Sequence, residues 1–154
     1  RPDASEVEYR SAGLAPSRQA HRARRYPMMR YPWDRTEAAL RAMADHGDGA
    51  MPELDYVNPE TGADVLPTMG FTAMMLAAGM TTTPPRRSCS SAFHVVRGRG
   101  RTTIDGQTVE WGPKDTFSAP VFASLSHEAD EEAFLVRIHD RPLQEKLGYY
   151  EERE

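Results

Sequence analysis

The residues best suited to chemistry are few and scattered. Five histidines, His21, His46, His94, His127 and His139, accompany one cysteine, Cys89. No two histidines are spaced i,i+2 for one face of a strand or i,i+4 for one face of a helix, so no local pattern builds a metal site. Cys-x-x-Cys, His-Glu-x-x-His, Gly-x-Ser-x-Gly and a phosphate-cradling Gly-Lys-Ser/Thr run are all absent. Gly98-x-Gly100 has no helical pattern behind it and reads as a hairpin turn. A non-standard metal set could draw on His94, His127 and Glu128 or Asp130. Against it, adjacent residues of a strand face opposite sides of the sheet. His94, beside Val95 and Val96, reads as a hydrogen-bonded histidine of a core strand.

The elements that must position these groups are mostly strands. Asp34 reads as a helix N-cap, with Glu37 completing a capping box, and Gly47 and Gly49 stop the helix. Leu54 to Val57, Phe71 to Ala78, Ala92 to Val96, Arg101 to Ile104, Gln107 to Trp111, Thr116 to Pro120 and Ala133 to His139 read as strands. Asn58 to Gly62 is a strong turn, and Asp105-Gly106 is a two-residue hairpin loop. A short helix, Pro142 to Leu147, ends at Gly148. Short strands broken by glycine turns imply a sandwich or barrel.

The chain divides into an extended arm (1–33), one β domain (34–150) and an acidic tail (151–154). The arm is punctuated by Pro2, Pro16, Pro27 and Pro32, with Tyr26, Met28, Met29, Tyr31 and Trp33 as apolar anchors on the barrel wall or a neighbouring domain. Arg18, His21, Arg22, Arg24, Arg25 and Arg30 form a basic run, read as a solvated linker or a face for an acidic neighbour. A net charge of −4 gives no reason to expect a nucleic-acid partner. No apolar run approaches the length of a membrane span, and a lone cysteine suits a reducing, cytoplasmic setting. The opening Arg1-Pro2-Asp3, without methionine, suggests a portion of a longer or processed protein.

Gly79, Gly98, the Asp105-Gly106 hairpin, Trp111-Gly112-Pro113-Lys114-Asp115 and Pro120 together resemble the double motif of the cupins. In register with Gly79 and Gly98, the first motif places its two histidines at Pro85 and Arg87 and its glutamate at Ser91. In register with Asp115 and Pro120, the second places its histidine at Leu125, and Lys114 stands at an expected glycine. The resemblance implies a mainly β, jelly-roll-like cupin barrel with an N-terminal arm, one helix before the barrel and a short helix after it.

Tyr31-Pro32-Trp33 with Glu37-Ala38-Ala39-Leu40 and Tyr56 to Gly62 with Val65-Leu66-Pro67-Thr68 narrow the likeness. So do Phe93 to Gly98, Thr103 to Gly106 and Trp111-Gly112-Pro113. Residues 28–150 resemble the C-terminal half of the gentisate 1,2-dioxygenase family, which includes 1-hydroxy-2-naphthoate and salicylate dioxygenases. That family implies a tetrameric bicupin of aromatic degradation, with Fe(II) held by three histidines in the N-terminal cupin. The C-terminal cupin often lacks ligands and serves structure and oligomer contacts. The expectation is therefore a barrel with no catalytic residue and no cofactor of its own. Its partners would be the N-terminal cupin of the same polypeptide and further copies of the chain, not nucleic acid or membrane. The alternative is a metal-free module binding an aromatic acid, with Arg87, His94 and His127 as candidate ligand contacts.

Overall fold

Strict alternation along one strand organises the molecule. The computed structural model describes residues 30–47 and 49–154, so the basic run up to Arg25 and the anchors Tyr26, Met28 and Met29 lie outside the described residues. The described residues form two helices, α1 (Trp33–His46) and α2 (Arg141–Leu147), and eleven strands. In chain order these are β1 (Glu53–Asp55), β2 (Gly70–Leu76), β3 (Thr81–Thr82), β4 (Arg86–Arg87), β5 (Ser91–Arg97), β6 (Gly100–Ile104), β7 (Gln107–Trp111), β8 (Thr116–Ala119), β9 (Leu125–Ala129), β10 (Ala133–His139) and β11 (Glu152–Arg153).

A five-stranded sheet has the order β1-β2-β10-β5-β8, and a four-stranded sheet has the order β3-β9-β6-β7. Neighbouring strands in both sheets pair antiparallel. Inward residues of both sheets share one core: Met74, Leu76, Phe93, Val95, Trp111, Leu125 and Leu135. Phe93 stacks on Phe117 with ring centroids 5.0 Å apart. Burying a side chain such as Phe93 contributes about 2–3 kcal/mol.

The outer face of the larger sheet carries a second cluster. Phe134 on β10, with Ala73 and Met75 on β2, packs under Leu40 of α1. Trp33 meets Phe134 edge to face at 5.8 Å. Arg41 and Arg97 both sit over the Phe134 ring, at 5.3 and 4.8 Å. Glu37 and Glu132 hold those guanidinium groups by charge-assisted bonds, which pin α1 to the sheet. A bulge makes this possible. Phe134 pairs with Arg97 and Leu135 with Val95, so Val96 is the extra residue. Without it Arg97 would point into the core with Val95.

One reading of the termini is corrected. Helix α1 begins at Trp33, one residue before the expected cap, and no side chain caps it. Asp34 lies inside the first turn, and Glu37 bonds Trp33, Arg41 and Arg97 rather than closing a capping box. Residues of the acidic tail form β11, which pairs with β4. The arm anchors Tyr31 and Trp33 lie on the barrel wall: Tyr31 packs on Tyr56 at 5.1 Å and donates to the Val57 carbonyl at 2.9 Å.

The Asp105-Gly106 hairpin joins β6 and β7 with both φ angles positive, 48° and 83°, as a type I′ turn requires. Gly98 has φ 94°, and a Cβ there would lie 2.5 Å from the Ala133 Cα. Gly98→Ala is therefore expected to lower stability by about 2–4 kcal/mol, measured by urea unfolding.

Candidate functional site

The four positions singled out in the sequence converge. Pro85, Arg87, Ser91 and Leu125 line one narrow cavity, with a volume of about 10 Å³. That is close to the room one water molecule needs. Arg87 comes from β4, Ser91 from the start of β5 and Leu125 from the start of β9. Cys89 and Arg137 complete its polar lining. Burial pushes the Cys89 thiol above its ordinary range.

The donor set does not fit iron. Proline and leucine offer no ligand, an arginine cannot give up its proton, and serine is a poor ligand. Two guanidinium groups would also repel a divalent cation. Among the described residues no group of three or more His, Cys, Asp or Glu is placed to hold a metal.

The three candidate contact residues are not brought together. Arg87 lines the cavity, and its Nε donates to Glu152 on β11 at 2.9 Å. His94 alternates with the inward Phe93 and Val95, so it faces the opposite side of β5, where its Nδ1 meets Thr116 at 3.1 Å. His127 is fully buried beside Phe93, with ring centroids 5.1 Å apart, but does not line the cavity. Glu128, its neighbour, points out and bonds Arg101, and Asp130 lies 3.6 Å from the same arginine. The non-standard metal set is therefore split between the two faces.

His127 belongs to a polar chain inside the core. Trp111 Nε1 donates to Thr102 Oγ1 at 2.9 Å, and Thr102 Oγ1 lies 2.9 Å from His127 Nδ1. Tryptophan can only donate, which leaves the threonine proton free to go to Nδ1. The imidazole proton then sits on Nε2, which is buried without a hydrogen-bond partner. Burial, with Arg137 and Arg87 nearby, lowers the His127 pKa to about 4.

A second polar row crosses the inner face of the larger sheet, set by register. Asp55, Thr72 and Arg137 are successive cross-strand partners on β1, β2 and β10. Thr72 donates to Asp55 at 2.5 Å and accepts from His139 Nε2 at 3.1 Å and from Arg137 Nη2 at 3.4 Å. His139 is buried, and burial with the adjacent Arg137 lowers its pKa to about 4. Gly70 lies against this imidazole, where a Cβ would be 2.9 Å from Nδ1. Sequence reasoning missed Arg137 and Thr72. The signal was present: Arg137 lies two residues past Leu135 in an apolar strand, so alternation turns both inward.

No family model matches the chain. Among characterised proteins it is 36% identical over 157 residues to a gentisate 1,2-dioxygenase of Ralstonia sp, covering 99% of the chain and 44% of that protein. It is 34% identical over 163 residues to a 1-hydroxy-2-naphthoate 1,2-dioxygenase of Nocardioides sp. strain KP7, covering all of the chain and 41% of that protein. The crystal structure of a salicylate 1,2-dioxygenase from Pseudaminobacter salicylatoxidans superposes with a TM-score of 0.78 at 28% identity, covering 97% of the chain and 45% of that structure. The chain is a cupin, and it resembles part of a gentisate-type dioxygenase. It spans less than half the length of these relatives. No helix among the described residues is long and apolar enough to cross a membrane.

The two buried histidines make stability depend on pH. Each has a folded pKa of about 4 against an ordinary 6.5, so the unfolded chain binds more protons between those values. Stability is full above pH 6.5 and falls as the pH drops towards 4, by up to about 3 kcal/mol for each histidine. His127→Gln is expected to remove about half of this slope in urea titrations run across that pH range.

Proposed function

We propose that this chain is the C-terminal, metal-free cupin half of an aromatic-ring-cleaving dioxygenase of the gentisate 1,2-dioxygenase type. The barrel, residues 34–150, completes the fold and builds contacts with the N-terminal cupin of the same polypeptide and with further copies in a cytoplasmic oligomer. The arm, residues 1–33, is the linker between the two cupins. Fe(II) and the reacting substrate belong to the N-terminal cupin, and no residue of this chain takes a catalytic role.

One observation carries this reading. Pro85, Arg87, Ser91 and Leu125, where the cupin motifs have ligands, surround a single cavity yet provide no ligand set. The similarity to a gentisate dioxygenase and a salicylate dioxygenase over nearly the whole chain supports the family assignment. Packing of Tyr31 and Trp33 on the barrel wall supports a linker that runs along it.

A module that seats an aromatic acid in the lumen is less well supported. Small-molecule pockets run to about 300–1,000 Å³, and the lumen cavity is about 10 Å³. Of the three proposed contacts only Arg87 lines that cavity, and His94 faces the other side of its strand.

The isolated chain, loaded anaerobically with Fe(II), is expected to keep substoichiometric iron and to cleave neither gentisate nor salicylate. Iron analysis and oxygen uptake read this directly. Stoichiometric iron with robust turnover would overturn the proposal. Joined to its N-terminal half, the full protein is expected to bind one iron per chain, and Leu125→Ala to leave that iron content unchanged.

A further inference from the structure

The interior cation at Arg137 has no adequate partner among the described residues. Its residue is 3% exposed, and its Nε is buried without a hydrogen-bond partner. Its one hydrogen bond, to Thr72, is long at 3.4 Å. No carboxylate lies within ion-pair distance of it among the described residues. Asp55 is taken up by Thr72 and Arg141. Glu53 has a buried Oε1 that bonds nothing. The other cation of the cavity, Arg87, shares its charge with Glu152, which is half exposed. Two positive groups thus border a small void whose remaining wall includes Pro85, Phe93 and Leu125. Glu53 and Asp55 act on Arg137 only from beyond ion-pair distance, and burying a charge with no counter-charge in contact is costly.

We propose that this void is an anion site, in which one monatomic, halide-sized anion sits against Arg137 Nε with Arg87 on its other side. Size selects the occupant. A volume of about 10 Å³ admits one water-sized particle, and a few tenths of an ångström of give in the arginine side chains admits chloride. Sulfate, phosphate and organic carboxylates are too large. The wall is mixed: Ser91 and Cys89 add weak donors beside the two arginines, and Pro85, Phe93 and Leu125 supply the apolar side that suits a weakly hydrated halide. The site does not depend on the dioxygenase assignment, and the failure of either leaves the other standing.

The test uses the whole chain. Crystals soaked in sodium bromide are expected to show an anomalous peak within about 3.5 Å of Arg137 Nε, the reach of a halide–nitrogen hydrogen bond. In solution, sodium chloride titrated against sodium gluconate at constant ionic strength is expected to raise Tm along a one-site curve, by about 4 °C at ten times the Kd. Arg137→Met is expected to abolish that chloride-specific rise. Water density bridging Arg137 and Glu53 with no bromide peak would overturn the proposal. So would a chloride rise that persists in Arg137→Met. If that variant fails to fold, the bromide peak in the wild-type crystal decides alone.

Discussion

The two faces of β10 impose opposite demands, and the rest of the molecule is arranged to meet both. On one face Phe134 must be covered, and α1 covers it with Leu40 and Trp33 while Arg41 and Arg97 close over the ring. On the other face Leu135 enters the shared core, while Arg137 and His139 bring polarity into it. Because side chains alternate, one residue of slippage would exchange the two sets, burying charge under the helix and exposing the aromatic ring. The extra residue at Val96 sets the register of β5 against β10, and Gly98 lets the following turn approach Ala133 closely.

Polarity inside the barrel is handled in two different ways. Trp111, Thr102 and His127 form a short relay of neutral groups, which tolerates burial because no member carries charge at neutral pH. The row through Asp55, Thr72 and Arg137 is charged and reaches the sheet edge at β1. Its hydroxyl is the hub: one proton given, two bonds accepted. The strand formed by Glu152 and Arg153 pairs with β4 and supplies the carboxylate for Arg87. Arg153 also stacks on Phe122 at 4.3 Å, and Phe122 in turn donates its backbone N–H to the Arg87 carbonyl at 2.7 Å.

Much of the architecture was legible because its signals are local. The type I′ hairpin follows from Asp105-Gly106, and β10 matches the apolar run Ala133 to His139 at both ends. The glycine frame also gave the register that gathers Pro85, Arg87, Ser91 and Leu125 on one cavity. What escaped depended on pairing over distance. Strands β3, β4 and β11 are two residues each, too short for any period, and exist only through their partners. Strand β9 reads Leu-Ser-His-Glu-Ala, with a buried histidine in its centre, so hydropathy alone hides it. Asp34 and Glu37 have the spacing of a capping box, but long-range bonds from Arg41 and Arg97 claim Glu37. His94 and His127 are alike in residue type alone. Their faces differ, and only the register of β5 and β9 decides that.

The substituted cavity also constrains what descendants of this sequence can become. Metal binding at this cavity would require ligands at Pro85, Arg87, Ser91 and Leu125, four separate changes. At Pro85 or Leu125 such a change taken singly would place a polar group in a tight wall with nothing to bind. Arg137 would still stand beside the site and oppose a divalent ion. Intermediates on such a path lose stability before any metal affinity appears. An interior packed around a buried cation is therefore more readily refined in its packing than converted to a metal site.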